Sequence, residues 1–120
     1  MIRHLREREI GGAPLVVGGR SSGARVACRT ATTTGASAVL CLAFPLHPPG
    51  KSDDPSKSRQ PELDAVDVPT LVVQGERDPF GMPAGGPNRS IVTVPGDHSL
   101  KSDLGALAAA VADWLPGAVA

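Results

Sequence analysis

Paired cysteines, a surplus of either charge and a long apolar run are all missing from this 120-residue chain, and each absence removes a class of function. Its two cysteines, Cys28 and Cys41, have no C-x-x-C spacing, so neither a zinc site nor a redox pair is indicated. Both read as buried thiols of a reducing compartment. Twelve Lys and Arg balance twelve Asp and Glu, which leaves no basic footprint for nucleic acid. No stretch approaches the roughly 18 uninterrupted apolar residues of a membrane helix. The opening residues Met1-Ile2-Arg3-His4-Leu5-Arg6-Glu7-Arg8-Glu9 lack the apolar core of a secretory signal. Asp53-Asp54 has no further ligands at useful spacing, so no metal site is expected, and nothing calls for a cofactor. There is no internal repeat and no low-complexity segment. The composition fits one cytoplasmic globular enzyme domain.

What the chain does have is Gly19-Arg20-Ser21-Ser22-Gly23 directly after the apolar run Leu15-Val16-Val17. This spells G-x-S-x-G, in which a serine sits on a sharp strand-to-helix turn with its hydroxyl exposed. The strained turn brings the residues two before and two after the serine so close that a Cβ on either is expected to clash. Ala24, Ala27, Cys28 and Ala31 follow at helical spacing and form a narrow face of small residues. A Walker A loop is excluded because Ala24-Arg25 follow Gly23 in place of Lys and Ser/Thr. A dinucleotide fingerprint is excluded because Arg20 falls where its second glycine belongs.

A serine nucleophile needs a base and an orienting carboxylate, and candidates for both lie downstream. Past the apolar run Leu71-Val72-Val73 comes Gln74-Gly75-Glu76-Arg77-Asp78-Pro79-Phe80-Gly81; past Ile91-Val92-Thr93-Val94 comes Pro95-Gly96-Asp97-His98-Ser99-Leu100. Each candidate sits just beyond the carboxyl end of a strand, where open α/β sheets bind ligands. In this arrangement Ser21 attacks, His98 takes its proton, and Asp78 fixes the imidazole's tautomer and stabilises its charged form. Glu76 and Asp97 are rival carboxylates. Asp97 is the less favoured because adjacent loop side chains usually diverge. Asp78-Pro79 also has a plain reading as a turn start, and His4 lies in a charged, solvated stretch.

The same pass gives one domain over residues 1–120. A short helix is expected around Ile2 to Arg8. Strands are expected at Pro14–Gly18, Ala38–Ala43, Thr70–Gln74 and Ser90–Val94, with a helix from the elbow to about Thr33. The segment from Pro45 to Pro69 reads as irregular. A last helix is expected from Ser102 or Asp103 to Leu115, with Leu104, Leu107, Ala108, Val111 and Leu115 on its apolar face and Pro116-Gly117 ending it. Near-continuous apolar strands separated by helices or long crossovers argue for a three-layer α/β/α architecture with a short parallel sheet of about four strands.

Four stretches carry a resemblance: Gly18 to Arg25, Phe44 to Gly50, Gln74 to Gly81 and Gly96 to Leu100. Through them the chain resembles the α/β-hydrolase superfamily. It is most similar to the dienelactone-hydrolase-like branch, which includes the hydrolase-like subunit of the NSL chromatin complex. It departs from that branch at Ser22, where Met is frequent, and at Ala24, where Gly is frequent. The resemblance implies hydrolysis of an ester, thioester or other acyl bond of a small molecule, with the Ser22 backbone N–H donating to the oxyanion. It sets His47 in a loop bordering the active-site mouth, as a substrate-binding rim residue or an ordinary surface histidine. It also implies that the elbow follows the fifth of eight strands. The chain then corresponds to the C-terminal half of the fold and lacks the loop that supplies the second oxyanion N–H. On that reading the isolated chain self-associates, or pairs with a missing N-terminal half, and is a poor hydrolase. The alternative is a non-catalytic hydrolase-like module serving protein interaction.

Overall fold

Apolar side chains occupy both faces of the strands in alternation, so the sheet needs cover on both sides. The computed structural model describes residues 15–119. Its core is a four-stranded sheet in sequence order: β1 (Val16–Arg20), β2 (Ala38–Leu42), β3 (Thr70–Gly75) and β4 (Arg89–Val94). All three pairings are parallel. The expected α/β/α architecture is therefore the one observed. The expected N-terminal helix lies outside the described residues.

Val17, Val39, Cys41, Val72 and Ile91 face α1 (Ser22–Thr34) and Leu63 of α2 (Gln60–Asp64). Leu40, Leu42, Leu71, Val73, Val92 and Val94 face α3 (Leu104–Ala118). β3 is buried along its whole length, as a central strand covered on both faces should be. β1 has a strand neighbour on one side only among the described residues.

The small-residue face of α1 is the buried one: Ala24, Ala27, Cys28 and Ala31 pack on the sheet. Methyl-sized side chains let the helix axis approach the strands closely. One consequence is that Cys28 Sγ of α1 lies 3.5 Å from Cys41 Sγ of β2, with both thiols free. Their hydrogen bond and burial push the Cys41 thiol up. The helix ends where Gly35 turns left-handed (φ 72°), with Ala36 N–H bonded to the Ala31 carbonyl at 3.0 Å.

Three expectations are corrected. First, the segment from Pro45 to Pro69 is partly ordered, with a 3₁₀ turn at Pro55–Lys57 and the helix α2. Second, α3 continues through Pro116 and Gly117 to Ala118, with Asp103 as its N-cap accepting from Ala106 N–H at 2.8 Å. A proline in the last turn loses one N–H but keeps the turn's backbone angles. Third, the apolar face of α3 is rotated. Ala106, Leu107, Ala110, Val111 and Trp114 pack on the sheet, Ala108 is exposed, and Leu104 and Leu115 are 61% and 38% exposed. The half-buried Trp114 packs on the sheet, and Leu104 and Leu115 are left facing outward. Among the described residues no helix is long and apolar enough to cross a membrane.

Candidate active site

The parallel register brings the carboxyl ends of the strands level, so the loops that follow them share one rim. Ser21 N–H bonds to the Leu42 carbonyl at 2.9 Å, Ala43 N–H to Val73 and Glu76 N–H to Val94 at the same distance. Ser21 follows β1, Asp78 follows β3 and His98 follows β4.

Ser21 has φ 54° and ψ −121°, a backbone state that a non-glycine residue occupies only when its surroundings impose it. Such strain costs about 1–3 kcal/mol. The turn is tight because β1 runs straight into α1, and a Cβ on Gly19 would collide with the backbone of Gly23. The expected clash at Gly23 is corrected: a Cβ there meets nothing within 4 Å. The two backbones touch once, and at that contact the Cβ direction of Gly23 points away. Ser21 stands at the N-cap of α1, yet its side chain makes no capping bond. Serine at an N-cap normally accepts from the helix, a bond worth about 1 kcal/mol. Here the hydroxyl is turned to a base instead.

That base is His98, with Nε2 at 2.8 Å from Ser21 Oγ. Its Nδ1 lies 2.7 Å from Asp78 Oδ2. A carboxylate only accepts, so Nδ1 carries the proton and Nε2 is left to accept from the serine hydroxyl. The Asp78 side chain is fully buried and well supplied with donors. Phe80 N–H reaches Oδ1 at 2.8 Å, and the Gln74 amide reaches Oδ2 at 3.2 Å. The Phe80 ring meets the imidazole edge to face, with centroids 4.5 Å apart.

The rival carboxylates are engaged elsewhere. Asp97 Oδ1 accepts from Ser99 Oγ at 2.7 Å and Ser99 N–H at 3.0 Å, which lowers its pKa from the ordinary value. Glu76 is exposed, with Arg77 3.9 Å away. His47 is buried: its backbone N–H and Nδ1–H both donate to the Phe80 carbonyl, at 3.0 and 3.2 Å. It thus braces the loop carrying Phe80 from behind. Ser22 is the first residue of α1, so its N–H has no acceptor within the helix. Among the described residues no three His, Cys, Asp or Glu side chains gather as a metal-ligand set.

Two residues at the site went unassigned in the sequence. Gln74 is completely buried and joins two loops. Its Oε1 accepts from Phe44 N–H at 2.9 Å, while Nε2 donates to Phe44 O at 2.8 Å, Gly81 O at 3.0 Å and Asp78. A glutamine closing the apolar run Leu71-Val72-Val73 was the available signal, since a buried amide must find partners. Arg20, immediately before the serine, donates from Nη1 to the Ser99 carbonyl at 2.7 Å. No local pattern announced that bond.

A family model described as an alpha/beta hydrolase domain matches residues 1–103. Neither the curated proteins nor the solved structures yield a match.

Proposed function

The chain belongs to the alpha/beta hydrolase domain family, and from that premise we propose that it is a serine hydrolase acting on an ester, thioester or other acyl bond of a small molecule. The dienelactone-hydrolase-like branch is the part of the family its four motifs favour. One observation carries the reading: the unbroken relay Ser21 Oγ–His98 Nε2 and His98 Nδ1–Asp78 Oδ2 at 2.8 and 2.7 Å, built on a serine whose backbone is strained to present it.

The chemistry follows from those contacts. Ser21 Oγ attacks the acyl carbon while His98 Nε2 takes its proton, and Asp78 stabilises the imidazolium without itself being protonated. The oxyanion that develops faces the Ser22 N–H at the start of α1, where the helix dipole favours negative charge. Collapse breaks the bond to the leaving alkoxide or thiolate, which takes the proton from His98, and leaves an acyl ester on Ser21. Water then attacks that ester, giving a proton to His98 Nε2. When the bond from Ser21 Oγ to carbon breaks, the proton passes to the serine and the acid departs. His47, behind the Phe80 carbonyl, bears on the shape of the substrate pocket through that loop. The two neighbouring free thiols support a reducing, cytoplasmic setting.

The non-catalytic interaction module is the second reading, favoured by a β1 that has one strand neighbour among the described residues. A fluorophosphonate probe separates the two. Labelling of the wild type that disappears in Ser21→Ala supports the hydrolase. Absence of labelling in both supports the module, and equal labelling of both overturns Ser21 as nucleophile.

A further inference from the structure

Ser21 and His98 belong to opposite edges of the sheet. With strand order β1-β2-β3-β4, the ends of β1 and β4 are three strand spacings apart, about 14 Å. The segment after β4 must therefore leave its own strand, cross the end of β3 and deliver the imidazole to the elbow. The crossing is close. A Cβ on Gly75 would collide with the Asp97 carbonyl above it. At its tip the segment is a knuckle held by its own bonds: Ser99 N–H and Oγ on Asp97 Oδ1, and Leu100 N–H on the Asp97 carbonyl at 3.2 Å. Leu100 is buried against the α3 side with φ 57°. These bonds make the knuckle stiff, but they do not tie it to β1.

Two hydrogen bonds do. One is Ser21 Oγ to His98 Nε2. The other is Arg20 Nη1 to the carbonyl of Ser99, the residue after the histidine, at 2.7 Å. They have different fates in a reaction that acylates Ser21. Once Oγ is an ester oxygen it has no proton to give, and the first tie is gone. The second involves no reacting atom. It is a short, charge-assisted bond from a guanidinium fork.

We infer that Arg20 is a positioning residue that holds the His98 knuckle against the elbow while Ser21 is acylated, so that Nε2 stays set to activate the water that cleaves the acyl-enzyme. This rests on the serine-hydrolase reading. Without Arg20, attack by Ser21 still begins from a bonded serine–histidine pair, whereas in the acyl-enzyme neither tie to the elbow remains and the imidazole is held on its Asp78 side alone. Loss of the guanidinium therefore slows deacylation more than acylation. A misplacement of about 1 Å costs up to roughly 100-fold in rate.

The test uses p-nitrophenyl acetate with the wild type, Arg20→Met and Arg20→Lys. Arg20→Met is expected to lower kcat about tenfold or more, and to lower KM with it, because the acyl-enzyme accumulates. kcat/KM should stay within about threefold, a burst of nitrophenolate should appear or grow, and Arg20→Lys should recover part of the rate. A change in kcat below twofold overturns the inference. So does a raised KM with kcat retained, which marks a substrate contact. If Arg20→Met does not fold, the same split is read from Arg20→Lys alone. Failure of the hydrolase reading shows separately, as a wild type no faster than Ser21→Ala. With no turnover there is no acyl-enzyme to hydrolyse, and the inference falls with that reading.

Discussion

The two ends of the sheet are built from similar material to opposite effect. At the amino end, two clefts of about 420 and 490 Å³ share Gly86, Pro87, Asn88 and Arg89. Arg89 lines both, with Nη2 on Asp64 at 2.9 Å and Gly85 O at 3.1 Å and Nε on Ala84 O at 2.8 Å. Its polar atoms close a loop. At the carboxyl end a buried carboxylate, an imidazole and a hydroxyl form one directed chain, and its last member sits on strained backbone. The arginine at the amino end closes its bonds within its own loop and on Asp64, whereas the side chains at the carboxyl end stand in series across three loops.

The largest expected effect tests that contrast directly. Ser21→Ala should abolish fluorophosphonate labelling and His98→Ala nearly abolish it, whereas Arg89→Met at the amino end should leave the labelling rate unchanged while lowering the unfolding midpoint. Loss of labelling in Arg89→Met with an intact fold would move the chemistry to the wrong end of the sheet.

Next in size is the carboxylate. Asp78→Asn should keep the fold and lower turnover steeply, by about 10⁴ if it forces the wrong imidazole tautomer. Asp97→Asn, at a side chain that accepts its hydrogen bonds from Ser99, should cost far less. Steady-state hydrolysis of p-nitrophenyl acetate by the two variants decides the matter, and reversed effects would reassign the acid.

A smaller effect probes the elbow. Gly19→Ala drives a methyl into the Gly23 backbone and should destabilise the fold by about 1–3 kcal/mol in urea unfolding. Gly23→Ala meets open space and, inside a helix, should be neutral or stabilising by about 0.5–1 kcal/mol. Equal losses at both positions would show that the turn is constrained symmetrically.

The smallest concerns a tie away from both ends. Arg25 of α1 holds Glu62 of α2 through bonds of 2.9 and 2.7 Å. The hydrogen bond, then the charge attraction, holds the Glu62 carboxyl below its usual pKa. A carboxyl depressed in the folded state stabilises fully above its unfolded pKa, and that share is lost as the pH falls through the lower, folded value. Partial exposure limits it to about 1 kcal/mol or less. Glu62→Gln should therefore trail the wild type in unfolding free energy at neutral pH and converge with it in acid. A gap that does not change with pH would remove charge as the cause.

Local pattern carried a good deal of this molecule. Four apolar runs became four parallel strands, each displaced by no more than about two residues, because alternation and turn chemistry act between near neighbours. The stripe Ala24, Ala27, Cys28 and Ala31 became the buried face of α1 because small residues at that spacing have one use against a sheet. Ser21, Asp78 and His98, the three side chains that meet, stand out individually because each follows an apolar run in a loop with its own turn residues. The face of α3 was misjudged for a reason of the same kind. Its helix is apolar nearly all round, so periodicity could not choose between Leu104 and Leu115 on one side and Trp114 on the other.

What sequence by itself determined, then, are the strands, the sheet's parallel character, the elbow and the kinds of side chain at each loop, all properties set by a few adjacent residues. Tertiary structure alone decided which partners those side chains found. Gln74 reaches Phe44 across 30 residues, Arg20 reaches Ser99 across 79, and Cys28 rests on Cys41 because α1 packs on β2. Such contacts depend on the order and register in which strands pair, on which Cβ of two touching backbones points inward, and on which way a helix rolls against the sheet. Those choices belong to the chain as a whole, because each is settled by packing between segments that the sequence keeps far apart.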